Sequence, residues 1–568
     1  MNKYTKILSV VGALTVSSAF GQTFVNSNIT TDTTWSGVVI LETTIAVKDD
    51  ATLTILPGTI VRGQPRTDLP ANAPSGNPGA LVVTQKGQIN AVGSSTSPII
   101  FTTAAVDNDN DGVADDLNGD GFLDAYPGFE NDGVTVKANP VFFDDTPATA
   151  PLAPLDADGE ANVQLWGGVV ICGEAPTNLG AGGPAYGQGE VEGLVTPAFP
   201  IADATYGGLK TSDNSGTLQF VSIRHGGDEI GTGNEINGLT LAGVGNGTVI
   251  SDVEIYMNFD DGFEWFGGTV DTTNLVVVFA GDDQFDLDQG FTGKGQFWFA
   301  VTPFFNDGNG VAWGGGGSGD AAGEWDGEDS GESSNSLNTR IDSLPGSTGA
   351  DATPFPLSYP TVYNMTVLGG SANTGGNDFA PTNSANRGIR MRNGFAGELF
   401  NSIIVNVGNA ALEAQGSGFG AFDSASNATN GLITIASTTV ENSGAPDAGA
   451  TTALANGDTL LGVDFVNNIN VGEANFINPG VNFGITFALQ NQDQTFNPAG
   501  VAGKLDSSLK ATPLNPRPTP ADFLAGTTAP VQSGFVSTGE RGAFPNVAGD
   551  NFTAGWTVLS ISGLMADN

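Results

Sequence analysis

Val253-Glu254-Ile255-Tyr256-Met257 recurs as Leu275-Val276-Val277-Val278-Phe279 and again as Phe297-Trp298-Phe299-Ala300-Val301. The three runs begin at 253, 275 and 297, 22 residues apart each time. A period of that size is one coil of a solenoid. An earlier copy, Val221-Ser222-Ile223-Arg224-His225, starts 32 residues before Val253, one coil plus a ten-residue excursion. Alternation predicts that Val221, Ile223 and His225 share a face with Val253, Ile255 and Met257, then with Leu275, Val277 and Phe279, then with Phe297, Phe299 and Val301. One coil cannot bury such a face alone, so the sets are expected to stack into an interior ladder. The corners keep the same register: Asp228-Glu229, Asp260-Asp261 and Asp282-Asp283 follow the 32 and 22 spacing, and Phe263-Glu264 recurs as Phe285-Asp286. A sandwich with chance spacing would not repeat strand, corner and loop together.

Outward from this core, short alternating strands such as Leu53-Thr54-Ile55, Ile99-Ile100-Phe101 and Val169-Val170-Ile171-Cys172 are separated by Gly, Pro, Asn and Asp. With 82 Gly and only 14% charged residues, the chain reads as folded and all-β rather than disordered. The 61 Asp and Glu against 18 Lys and Arg give a formal charge of −43, with one His and one Cys. Sites that need several His or Cys ligands are excluded by that count. A chain of this charge repels nucleic-acid phosphates and anionic head groups, so no nucleic-acid partner is expected and hard cations are the natural ones.

Lys3 and Lys6, an apolar run over 7–20 and Ala19-Phe20-Gly21 predict a secretory signal peptide over 1–21 and a secreted or outer-surface protein. No stretch reaches the length of a membrane-spanning helix, so no insertion is expected after cleavage. Cys172 has no partner for an intramolecular disulfide and reads as a small buried hydrophobe. His225 reads as a hydrogen-bonded core residue, which leaves no Ser–His–Asp set.

The motifs Ala51-Thr52-Leu53-Thr54-Ile55-Leu56-Pro57-Gly58-Thr59-Ile60-Val61-Arg62-Gly63, Ala80-Leu81-Val82-Val83-Thr84, Pro98-Ile99-Ile100-Phe101-Thr102 and Asn234-Glu235-Ile236-Asn237-Gly238-Leu239-Thr240-Leu241, with the acidic corner repeat, resemble right-handed parallel β-helix proteins, a group of secreted bacterial surface proteins. Gly542-Ala543-Phe544 and Gly555-Trp556-Thr557 look like that group's C-terminal segment. The resemblance implies an all-β, right-handed parallel β-helix, placed over 22–445; the tandem Asp motif marks an inserted calcium-binding loop at 107–124, Gly and acidic residues mark a flexible loop at 306–352, and weakening periodicity marks a β-rich capping region over 446–568.

Two acidic constellations carry the chemistry. Asp107-Asn108-Asp109-Asn110-Asp111-Gly112-Val113-Ala114-Asp115 and Asp116-Leu117-Asn118-Gly119-Asp120-Gly121-Phe122-Leu123-Asp124 fit D-x-D-x-D-G-x-x-D or a close variant in tandem. Alternate side chains of a tightly wound loop point inward, and the Gly permits the turn, so Asp107, Asp109, Asp111, Asp115, Asp116, Asn118, Asp120 and Asp124 are candidate Ca²⁺ ligands. The tandem resembles thrombospondin type-3 and dockerin calcium loops, without the flanking helices and closing Glu of an EF-hand. In the second constellation, Asp228, Asp260, Asp261, Asp282 and Asp283 would stack coil on coil about 4.8 Å apart. Such carboxylates need protons, turn amides or a cation, or they form a carboxylate pair acting on a glycan.

Arg387, Arg390 and Arg392 form the one basic cluster; in Gly388-Ile389-Arg390-Met391-Arg392, alternation is expected to turn Ile389 and Met391 inward and Arg390 and Arg392 outward. β-Helix polysaccharide lyases combine calcium with a basic residue, which would assign Arg390, Arg392, Asp260 and Asp282 to catalysis. Trp265, Trp298, Trp313 and Trp325 could form a sugar-stacking platform, with Trp298 covering the coil exterior. Two functions stay open. One is a calcium-stabilised, adhesin-like surface or matrix protein that binds extracellular glycans or other cell-surface proteins. The alternative is a carbohydrate-active lyase or glycosidase, which requires a groove holding the acidic ladder and Arg390 or Arg392 together.

Overall fold

A computed structural model of the chain describes residues 22–66, 77–108, 141–144, 162–179, 199–228, 236–302, 321–327, 358–369, 387–405 and 411–415, short stretches between and beyond these up to 471, and 516, 534–538, 540–544, 551–562 and 565. The signal-peptide reading of 1–21 lies outside the described residues.

The chain winds as a parallel β-helix in which each coil lays one strand on each of three faces. The first face runs from Thr44–Val47 through Ala80–Val83, Val169–Cys172, Leu239–Ala242, Phe263–Phe266, Phe285–Asp288, Ala321–Asp326 and Arg387–Arg392 to Leu412–Ala414, every neighbour parallel. The second face includes Thr33–Trp35, Thr52–Ile55 and Gln88–Val92, and the third Val38–Leu41, Ile60–Gly63 and Ile99–Thr103. In the central coils these two faces share one continuous strand that bends at a single left-handed residue: Phe220 (φ 50°), Asp252 (φ 55°), Asn274 (φ 57°) and Phe297 (φ 59°). Asn and Asp tolerate that conformation best. The Asn274 amide Nδ2 donates to Asp252 Oδ1 at 2.9 Å, tying one coil's bend to the next.

These bends correct the predicted ladder. Leu275 pairs with Trp298 rather than Phe297, so the last step is 23 residues, and Phe297 occupies the corner. Trp298 and Ala300 therefore enter the interior, while Phe299 and Val301 face outward. A second corner does the same to His225 (φ 58°), Met257 (φ 58°) and Phe279 (φ 63°). Val221, Ile223, Val253, Ile255, Leu275 and Val277 line the interior as expected, whereas Met257 and Phe279 belong to an apolar layer outside it. A left-handed residue resets the alternation of the strand that follows, and nothing in the local spacing signals it.

Inside the central coils the rings stack: Trp265 on Trp298 at 5.1 Å, Phe285 on Trp298 at 4.8 Å and Phe263 on Phe285 at 5.7 Å. Trp265, Trp298 and Trp325 are fully buried, so none is a sugar-stacking platform, and Trp298 does not cover the exterior. Trp313 lies outside the described residues.

Two further readings change. The stretch 306–352, read as a flexible loop, contains the strand Ala321–Asp326, in which Trp325 turns inward and Glu324 outward. Its Gly-rich flanks hide a coil whose alternation is only one strand long. The described part of the C-terminal region packs along a face of the helix. Ala543, Phe544, Val558, Leu559 and Met565 lie along the outside of the third face, against Tyr256, Val278, Phe299 and Leu368. A short helix, Val558–Ile561, is docked there by its first N–H, which Glu254 accepts at 2.8 Å (Oε1) and 3.0 Å (Oε2).

The first face has a cover of its own. Val191, Leu194, Phe199, Ala204 and Tyr206 pack on the outward side chains Ala46, Ala80, Val82, Val170, Cys172 and Ala242. Burial under this cover pushes the Cys172 thiol up to about 12, which keeps it a neutral packing group. No helix among the described residues is long and apolar enough to cross a membrane.

Candidate functional site

Where that cover ends, at Tyr206 stacked on Phe266 (5.6 Å, 19°), the outward side of the first face changes from small apolar residues to charged ones. Pairing register aligns Thr240, Glu264, Asp286, Glu324, Arg390 and Glu413 on successive strands. A second row, two residues along, sets Phe266 beside Asp288 and Asp326 beside Arg392. The intervening residues, Trp265, Leu287, Trp325 and Met391, point into the core. Strict alternation thus produces a charged strip on a rigid apolar backing. Glu264, Asp286, Glu324 and Arg390 are each half-buried and reach solvent.

The carboxyl groups are crowded. Burial, then the charges of Glu264, Glu324, Asp288 and Asp326, hold the Asp286 carboxyl well above the usual carboxylate range. Asp261, at the corner before the strip, is raised by burial and by Asp260, Asp286, Asp283 and Glu264. Asp286 Oδ1 is buried and makes no hydrogen bond. Asn237, itself 5% exposed, donates its amide to Glu264 and to Thr240 Oγ1 (3.2 Å), and its Oδ1 has no partner. Oxygens of Asp261, Glu264 and Asp286 lie within 4.8 Å of one another, as do those of Asp260, Asp261 and Asp282.

The arginines are engaged. Arg390 donates to Glu324 at 3.3 Å, and Arg392 pairs with Glu324 at 2.8 Å and holds Asp326 with two bonds of 2.9 and 2.8 Å. Arg387 pairs with Glu413 at 2.9 Å. Burial works against the Arg392 charge, but the Asp326 hydrogen bonds and the nearby Glu324 and Asp286 outweigh it and keep the guanidinium protonated beyond its usual range.

The sequence-predicted residues divide accordingly. Asp260 and Asp282 sit at the corner, one strand-start before the strip, and do not share the register of Arg390. Asp261 Oδ1 accepts from the Asp283 N–H at 2.9 Å and Asp283 Oδ1 from the Ala321 N–H at 2.7 Å, a corner ladder of carboxylate on turn amide. Asp228 pairs with Arg66 at 3.5 Å. Glu264 and Asp286, noted in the sequence only as neighbours of the ladder, are the groups brought opposite Glu324 and Arg390. Glu324 and Asp326 had no usable signal because they lie in the Gly-rich stretch.

Of the tandem loop, Asp107, Asp115, Asp116 and Asp124 are described, and Asp109, Asp111, Asn118 and Asp120 lie outside the described residues. Asp107, Asp115 and Asp124 are buried, Asp116 is exposed, and Asp115 Oδ2 accepts from the Asn108 N–H at 2.6 Å. Bridges from Ala105 to Ala125 and from Val106 to Phe142 anchor the loop to the coil. His225 is buried, with Nδ1 2.7 Å from the Asn162 carbonyl.

Stacked parallel coils with a charged strip on one face define a parallel β-helix. The profile of the pectate-lyase-like β-helix domain matches residues 148–475, more than half of the chain, and the chain belongs to that family. No curated protein and no solved structure matches it.

Proposed function

We propose that this is a secreted, carbohydrate-active β-helix protein that cleaves a glycosidic bond on the strip of the first face. The observation that carries the reading is the alignment of Glu264, Asp286 and Glu324 on adjacent strands of a rigid sheet face, where burial and the neighbouring carboxylates hold the Asp286 carboxyl well above the usual carboxylate range. A carboxylic acid beside a carboxylate is the donor–acceptor pair that glycoside hydrolysis uses. In this role Asp286 gives its proton to the departing glycosidic oxygen, and Glu264 attacks the anomeric carbon. Water then releases the sugar, with Asp286 taking the water's proton back. Arg392, kept protonated by Asp326, is unsuited to proton abstraction, which weighs against β-elimination.

Calcium belongs to the same proposal. The oxygens of the corner residues Asp260, Asp261 and Asp282, within 4.8 Å of one another, fit a hard cation that would relieve their repulsion and leave Asp286 and Glu264 to the acid and nucleophile roles. The buried Asp107, Asp115 and Asp124 of the tandem loop offer a second, structural position.

Reducing-end release from a panel of polysaccharides tests the reading. Asp286→Asn and Glu264→Gln should each lower cleavage by about 100-fold or more without lowering the thermal midpoint. Full activity in Asp286→Asn overturns it. A wild-type protein that binds calcium and cleaves no polymer returns the molecule to a non-catalytic, adhesin-like role.

A further inference from the structure

We infer that the strip takes a neutral polysaccharide, one without uronate carboxylates, and that Phe266 is the platform on which a sugar ring stacks. The inference rests on the glycan reading above and names the substrate class of the same site.

Charge comes first. Among the described residues, six carboxyl groups on the strands face three guanidinium groups, before the corner aspartates Asp260, Asp261, Asp282 and Asp283 are counted. Every one of those guanidinium groups is held by a carboxylate: Arg387 by Glu413, Arg390 by Glu324, and Arg392 by Glu324 and Asp326. A uronate carboxylate would have to share each guanidinium with the carboxylate already held there and sit beside the further carboxyl groups of the strip. Sugar hydroxyls have the opposite fit, since they donate, and ionised carboxylates only accept.

The apolar half of the site lies one step away. Phe266 is half-buried, stands on the outward row two residues after Glu264, and borders Asp288 on the next strand. Tyr206 backs its ring at 5.6 Å and is itself fixed by an Oη bond to Gln289 Oε1 at 2.8 Å. A ring held from behind beside a row of acceptors suits a sugar, whose C–H face is apolar and whose rim is hydroxyl. The interior tryptophans cannot take this part.

Affinity gel electrophoresis of the full chain tests the idea, with mixed-linkage β-glucan, xylan and galactomannan as neutral polymers and polygalacturonate and alginate as polyuronates, each in EDTA and in calcium. Retardation by at least one neutral polymer should exceed that by either polyuronate about ten-fold in both buffers. Phe266→Ala should lose about ten-fold in that retention, and Phe266→Tyr should restore it, at unchanged thermal midpoint. Polyuronate retention equal to or above that of the neutral polymers, in either buffer, overturns the inference. So does full retention by Phe266→Ala. Polyuronate cleavage that Asp286→Asn abolishes would leave the proposed function standing and remove this substrate class alone; retention by no polymer would remove both.

Discussion

Two buried titratable residues on the third face, Glu254 and His225, pull stability in opposite directions with pH. Burial pushes the Glu254 carboxyl up to about 7, against the pull of Arg224, the Ser222 hydroxyl and the Val558 N–H. Burial pulls His225 down to about 4, despite Asp144 and the Asn162 carbonyl. The folded chain holds the Glu254 proton more tightly than the unfolded one. That contribution is complete below the ordinary value of 4.5 and is lost as pH rises through 7. The folded chain resists protonating His225, so its contribution is complete above 6.5 and is lost as pH falls toward 4. Between 4.5 and 6.5 the two slopes oppose each other, and above 6.5 Glu254 acts alone. The thermal midpoint should therefore fall from about pH 6.5 to about pH 8, and Glu254→Gln should flatten that limb. A limb equally steep in the variant would show that the carboxyl is not its source.

At the scale of the element, the bends decide which side chains a strand turns inward. Asn274 adopts φ 57° and donates to Asp252 one coil away, so Asn274→Ala removes a bond and places a side chain with less tolerance in a left-handed position. Denaturant unfolding should show a loss of about 1–2 kcal/mol, with Asn274→Gly recovering part of it. An alanine variant as stable as the wild type would mean that the bend is set by coil stacking alone. The same bends explain why the strand face was legible and its phase was not. Val253, Ile255, Leu275 and Val277 alternate without interruption and are read correctly, but Phe297 consumes one residue at the corner and hands the interior to Trp298. Side-chain type gives no warning, because Phe and Trp serve equally well in either place.

For the whole molecule, the solenoid leaves two apolar flanks that single coils cannot close, and distant parts of the chain close them. Ala543, Phe544, Val558 and Leu559 of the C-terminal segment cover Met257, Phe279 and Phe299 along the third face, and Val191, Leu194, Phe199, Ala204 and Tyr206 cover Ala80, Val82 and Val170 on the first. Deleting residues 551–568 should expose the first of these flanks, raising the binding of an apolar dye and lowering the thermal midpoint by several degrees. Unchanged dye binding would show that the segment does not shield it. The open part of the first face, where the cover stops, is the part left for a ligand.

The sequence by itself determined the coil, because a period of 22 with acidic corners can bury its apolar face only by stacking. It also determined that Ile389 and Met391 turn inward and the flanking arginines outward, since alternation is a local property of a strand. The site was decided by tertiary structure. Glu264, Asp286, Glu324 and Arg390 are spread over 127 positions, from 264 to 390, and become neighbours only because parallel pairing brings successive coils into register. Register depends on how many residues each corner and insertion uses, and that count follows from packing the coils together rather than from any one stretch of chain.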